Sequence, residues 1–133
     1  MSRRIFGRVV AAVGAVLLIV MLSASPASAN YYYTHGTTYS IWNFTTGSTS
    51  YYQGHNGDDF AFDVTSGIAV DMRWSKCSDS SVHGSIQYNI TPAGPYRTLG
   101  TNFLAGTCLH IQYRGYTQTG TFYGYTFWNY SWV

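Results

Sequence analysis

Beyond residue 30 the apolar positions recur with a period of two, in short runs broken about every ten residues by Gly, Thr, Ser, Asn or Pro. No window repeats at helical spacing, so the pattern predicts an all-β chain. The runs place strands at residues 37–44, 50–54, 59–64, 68–75, 84–90, 96–100, 108–114 and 121–132. Seven or eight short strands in one domain predict a small antiparallel β-sandwich of Ig-like or jelly-roll type.

The alternation is clearest in DDFAFDVTSGIAVDMRW, residues 58–74. Phe60, Phe62 and Val64 share one face, and Ile68, Val70, Met72 and Trp74 share another. A hairpin whose loop is Thr65-Ser66-Gly67 keeps both sets inward and opposes Phe60 to Met72, Phe62 to Val70 and Asp59 to Arg73. Asp59 and Arg73 then form an outer-face ion pair, while Asp63 and Asp71 lie diagonally on a solvated polar face. On the other long strand, 108–114, Leu109, Ile111 and Tyr113 alternate with His110, Gln112 and Arg114.

The last run carries aromatics on both faces: Phe122, Trp128, Tyr130 and Trp132 on even positions, Tyr123, Tyr125 and Phe127 on odd ones. Only one face of a sandwich strand meets the core. The other is an exposed platform or is covered, and a bulge at Gly124 would shift the count. The expected contact surface is therefore Tyr123, Tyr125 and Trp128, or Tyr130 and Trp132 in the other register. No charge follows Arg114 to guard an edge, so this strand is expected to be central or to serve recognition. Ile41-Trp42-Asn43-Phe44-Thr45 recurs as Phe127-Trp128-Asn129-Tyr130-Ser131, which suggests that first and last strands occupy comparable positions, adjacent ones among the options a Greek key allows.

The segment before residue 30 breaks the β pattern. Three arginines precede an uninterrupted apolar run from Val9 to Leu22, and a small-residue stretch ends at Ala27, Ser28 and Ala29. That is the pattern of a signal peptide over residues 1–29, cleaved after Ala29 to leave a secreted domain of residues 30–133. The run is shorter than the roughly 18 residues of a stable membrane anchor. Ser2 to Arg8, SRRIFGR, fits the twin-arginine export pattern as well as an ordinary Sec signal, and either route points to a bacterium.

Removing the leader changes the charge balance. Arg73, Lys76, Arg97 and Arg114 remain against five Asp, with no Glu anywhere. A chain so weakly charged cannot neutralise a row of phosphates, which excludes nucleic acid and anionic membrane surfaces as expected partners. All 13 Tyr, all four Trp and six of the seven Phe fall after the leader. Cys77 and Cys108 are the only cysteines, and in an exported chain they predict one disulfide.

Candidate chemistry is sparse. Asp59 and Asp63 lie roughly 13 Å apart along one strand, too far for a glycosidase pair. Asp58, Asp63 and Asp71 could supply oxygens to calcium, though no calcium-loop spacing is present and no other cofactor is indicated. The four histidines are scattered, with His55 and Asp58 the only local pair. No nucleophile elbow, zinc motif or phosphate loop occurs. Asn43, Asn89 and Asn129 open glycosylation-like triplets that read as coincidences of a Thr- and Asn-rich β chain.

The expected function is thus a secreted, non-catalytic binding module whose exposed Tyr and Trp take glycan or cell-envelope polysaccharide. An alternative is an interaction domain for an extracellular protein, docking through its last strand or through Asn30–His35 as an added strand. A small extracellular hydrolase is the third.

Overall fold

The computed structural model describes residues 29–130, and the chain there is all β. Nine strands form: β1 (Asn30–Thr38), β2 (Thr45–Thr46), β3 (Tyr51–Tyr52), β4 (Asp58–Gly67), β5 (Val70–Lys76), β6 (Gln87–Ile90), β7 (Arg97–Phe103), β8 (Cys108–Gly115) and β9 (Gly120–Tyr130). One sheet has the order β1-β9-β4-β7 and the other β2-β8-β5-β6, with β3 also on β8. Every pairing is antiparallel.

A chain folded in half at β5–β6 accounts for this order. β5 pairs β6, β4 pairs β7, β2 pairs β8 and β1 pairs β9. Rolling that doubled ribbon sends alternate pairs into alternate sheets, which is the jelly-roll arrangement. Of the two sandwich types expected, this is the one that occurs.

The core lies between the sheets. Phe60, Phe62, Val64, Leu99 and Phe122 from the first meet Tyr51, Val70, Met72, Ile90, Leu109 and Ile111 from the second. Edge-on ring pairs bridge the gap, Tyr113 to Phe122 at 4.9 Å and Trp74 to Phe103 at 5.1 Å between centroids. The expected disulfide forms: Cys77, just past β5, joins Cys108 at the start of β8 with Cα atoms 5.4 Å apart. The asparagines at 89, 102 and 129 all take positive φ, between 55° and 60°, a conformation that Asn tolerates better than most residues.

The expected hairpin is not there. β4 and β5 belong to different sheets, so Phe60, Phe62, Val70 and Met72 face one another across the core rather than along a ladder. Thr65 to Gly67 remain in β4, with Ser66 and Gly67 opposite Tyr123 and Phe122. Gly67 has φ +92°, and a Cβ there would strike the Thr121 carbonyl oxygen. Ile68 and Ala69 then cross to the second sheet, the Ile68 N–H donating to Thr121 O at 3.1 Å. Parity could not separate the two outcomes, because a strand that arches over to the opposite sheet also returns its apolar face to the core.

Two side-chain expectations fall with the hairpin. Asp59 and Arg73 do not pair: Asp59 accepts the Asn102 N–H at 3.0 Å, and Arg73 Nε donates to Gln112 Oε1 at 2.6 Å. Asp71 is not solvated but 3% exposed, accepting Arg114 Nε and the Asn89 N–H, both at 3.0 Å.

The first strand also differs. It spans Asn30–Thr38 rather than 37–44, and it lies along β9 of its own chain from Asn30 opposite Trp128 to Thr38 opposite Gly120. First and last strands are neighbours, but not through the repeated pentapeptide, whose first copy lies off the strands until its last residue, Thr45, enters β2 of the other sheet. There the Ser40 hydroxyl accepts the N–H groups of Trp42 and Asn43, each at 2.9 Å. β9 is central, with β1 on one side and β4 on the other.

Candidate functional site

The unbroken β1–β9 register sets Tyr31 against Phe127, Tyr33 against Tyr125 and His35 against Tyr123. Opposed residues share a face. The even positions of β9 turn inward, Phe122 and Thr126 being fully buried. The odd positions therefore look outward together with those of β1.

The six rings form a continuous zigzag. Centroid separations run 6.5 Å from Phe127 to Tyr31, 6.1 Å to Tyr125, 5.5 Å to Tyr33, 6.4 Å to Tyr123 and 6.0 Å to His35. Tyr33 and Tyr123 are near-parallel, and the tyrosine pairs through Tyr125 meet edge-on. Such contacts add roughly 0.5 to 1.5 kcal/mol each to the clamping of β1 on β9. They do not bury the ladder. Tyr31 is 69% exposed, Tyr33 49% and Tyr123 37%, and Tyr31, Tyr125 and Phe127 line a shallow apolar depression. The hydroxyls of Tyr31, Tyr33, Tyr123 and Tyr125 have no hydrogen-bond partner among the described residues.

A carboxylate sits beside the rings. Asp63 on β4 is opposite Tyr125, and burial pushes its pKa above the usual carboxylate value. Close approach of β4 depends on Gly124, where a Cβ would collide with the Asp63 carbonyl oxygen and crowd the Phe62 ring. The irregularity expected at Gly124 lies instead in β4, between Val64 and Ser66.

Of the five expected contact residues, Tyr123 and Tyr125 are on the ladder. Trp128 turns inward, packing on the core with its ring 4.9 Å from that of Tyr51. Tyr130 is buried opposite Asp59. Trp128 keeps the inward even position, while a second irregularity, between Asp59 and Ala61, and the left-handed Asn129 interrupt the pairing before Tyr130. Trp132 lies outside the described residues, as do residues 1–28, where the signal peptide was expected. The ladder's other members, Tyr31, Tyr33, His35 and Phe127, were missed as a set. Alternation within YYYTH was the available signal, but it needed the β1–β9 pairing to acquire a face.

The acidic residues do not converge. Asp58 Oδ2 accepts the N–H groups of Gly54 and His55, at 3.1 and 2.9 Å, and so shapes the turn before β4. Asp63 and Asp71 sit in different sheets, on opposite outer faces of the sandwich. Among the described residues no three His, Cys, Asp or Glu side chains are placed to share a metal ion, so the calcium set Asp58, Asp63 and Asp71 is not assembled. His55 Nδ1 stands 3.7 Å from Asp58 Oδ2, while His83 and His110 lie at 3.0 and 2.8 Å from the carbonyls of Gly84 and Thr49. The cleft between β1 and residues 47–49 holds about 100 Å³, well below the roughly 300 Å³ at which ligand pockets begin.

No protein-family model matches the chain, and no curated protein or solved structure is detectably similar to it.

Proposed function

We propose that this protein is a secreted, non-catalytic binding module whose ladder Tyr31, Tyr33, His35, Tyr123, Tyr125 and Phe127 takes the faces of sugar rings in a glycan or cell-envelope polysaccharide. The supporting observation is the row of exposed and half-buried rings whose tyrosine hydroxyls have no partner among the described residues, beside the Asp63 carboxyl. Tyrosine faces stack on C–H surfaces while hydroxyls and a carboxyl take sugar OH groups. From Tyr123 to Phe127 the row is roughly 13 Å long, suiting a short stretch of chain rather than one monosaccharide. Jelly rolls carry many unrelated functions, lectins among them, so the fold does not choose.

The test is retention on insoluble polysaccharides with displacement by soluble oligosaccharide. Tyr33→Ala and Tyr125→Ala should each weaken retention by at least about 30-fold, equivalent to roughly 2 kcal/mol, while the protein stays folded. Unchanged retention in both variants would exclude the ladder as the contact surface.

One observation favours a second reading, an extracellular protein partner. β1 is a nine-residue edge strand without a charged residue, and its far edge has no strand partner among the described residues. An added strand could pair there. Tyr32→Pro would abolish such pairing and leave glycan retention intact.

A further inference from the structure

The outer face of the second sheet holds a charge imbalance that the ladder does not use. Only four basic residues follow the leader, and two of them, Arg73 and Arg114, are held on the same ring. Their guanidinium carbons stand 4.1 and 4.6 Å from the centroid of Phe44. Arg114 is neutralised by the buried Asp71, whose Oδ2 accepts its Nε at 3.0 Å. Arg73 has no carboxylate among the described residues. Its Nε donates to the neutral Gln112 Oε1 at 2.6 Å, and that bond and Phe44 fix its plane. Burial and the neighbouring Arg114 both push its pKa down, as expected where one negative charge faces two positive ones.

A guanidinium held flat by a ring and an amide, with its terminal N–H groups unpaired among the described residues, is preorganised for bidentate contact with a carboxylate. The flanking loop supplies a second surface. Trp42, two residues before Phe44, is tied to the same cluster because its carbonyl accepts Arg114 Nη1 at 2.9 Å, and Trp42 is 77% exposed. We propose that Arg73 and Trp42 form a binding site for an acidic sugar, a uronic acid whose carboxylate lies on the Arg73 fork and whose ring face lies on the Trp42 indole. This site is on the side of the sandwich away from the aromatic ladder and stands or falls independently of it.

Titration with an oligogalacturonate, followed by NMR of the Arg73 Nε–H and Trp42 indole N–H, tests the proposal. Both resonances should move together, and added salt should weaken the binding. The fully methyl-esterified oligomer, which keeps the rings and loses the charge, should bind at least tenfold more weakly. Arg73→Gln should weaken the oligogalacturonate by a similar factor and Trp42→Ala by at least fivefold, with Tyr125→Ala unchanged. Because Trp42 is on an exposed loop, its variant remains informative if Arg73→Gln fails to fold. Stationary resonances, equal binding of the esterified oligomer, or equal or tighter binding of a tetra-aspartate peptide would each overturn the assignment.

Discussion

Asp71 shows how far one residue's meaning depends on its neighbours. By alternation it is an outward-facing acid, and it does face outward, but Arg114 and the loop carrying Phe44 close over it. Removing it would strand a guanidinium and leave the Asn89 N–H unbonded, so Asp71→Ala should cost about 3 kcal/mol in denaturant unfolding. That is comparable to the roughly 3 to 5 kcal/mol expected for Phe62→Ala, which would empty a site packed against Phe122. Asp63 is the opposite case. Its pKa is raised in the fold by burial, so the folded state binds the proton more tightly than the unfolded chain. Asp63 therefore opposes folding at neutral pH, and the penalty fades as pH falls through its folded pKa towards the ordinary value of 3.8. Asp63→Asn should raise the melting temperature slightly at pH 7, with the gain vanishing near pH 3.

At the scale of elements, β9 is the strand on which the first sheet is built, since it joins β1 to β4 through eleven residues. Its amides from Phe122 to Phe127 should exchange most slowly with solvent, and β1 should lose protection first because only one of its edges is paired. Gly124→Ala tests the tight β4–β9 approach. The new methyl group meets the Asp63 backbone first and the packed Phe62 ring next, so a loss of about 1 to 3 kcal/mol is expected, with protection falling first in Phe62–Val64. Here the sequence was legible in part. It predicted strands at 59–64 and 68–75, where β4 and β5 lie with inward Phe and Val although β5 begins only at Val70, and one long strand at 121–132, where β9 runs from Gly120 to Tyr130. It could not reveal who pairs with whom, because the inward-facing pattern of a hairpin and of a sheet-switching arch is the same.

For the whole molecule, the pairing of β1 with β9 brings the two ends of the described chain together, and the sandwich closes only when these distant segments meet. The Cys77–Cys108 bond, spanning 31 positions, ties β5 to β8 near the rim and shortens the loop the unfolded chain must close. Reducing it should cost roughly 3 kcal/mol. In a domain of this size that lowers the melting temperature by about 10 to 25 °C, as differential scanning calorimetry with and without reductant would show.

What was determined by the sequence alone is local. Period-two alternation specified strands and their inward residues, because a half-buried strand must alternate whatever it pairs with. Two cysteines allowed one intramolecular bridge. The choice of jelly roll over Ig-like order, the crossing at Ile68–Ala69, the separation of the acids and the assembly of the ladder were decided only by the tertiary structure. Each is a relation between segments far apart in the chain, set by which faces bury together. Tyr123 and Tyr125 could be marked as exposed candidates from β9 alone. Tyr31, Tyr33 and His35 join them only because β1 turns back along β9, and Arg73 has no acid among the described residues because Asp59, its expected partner, went to the other sheet.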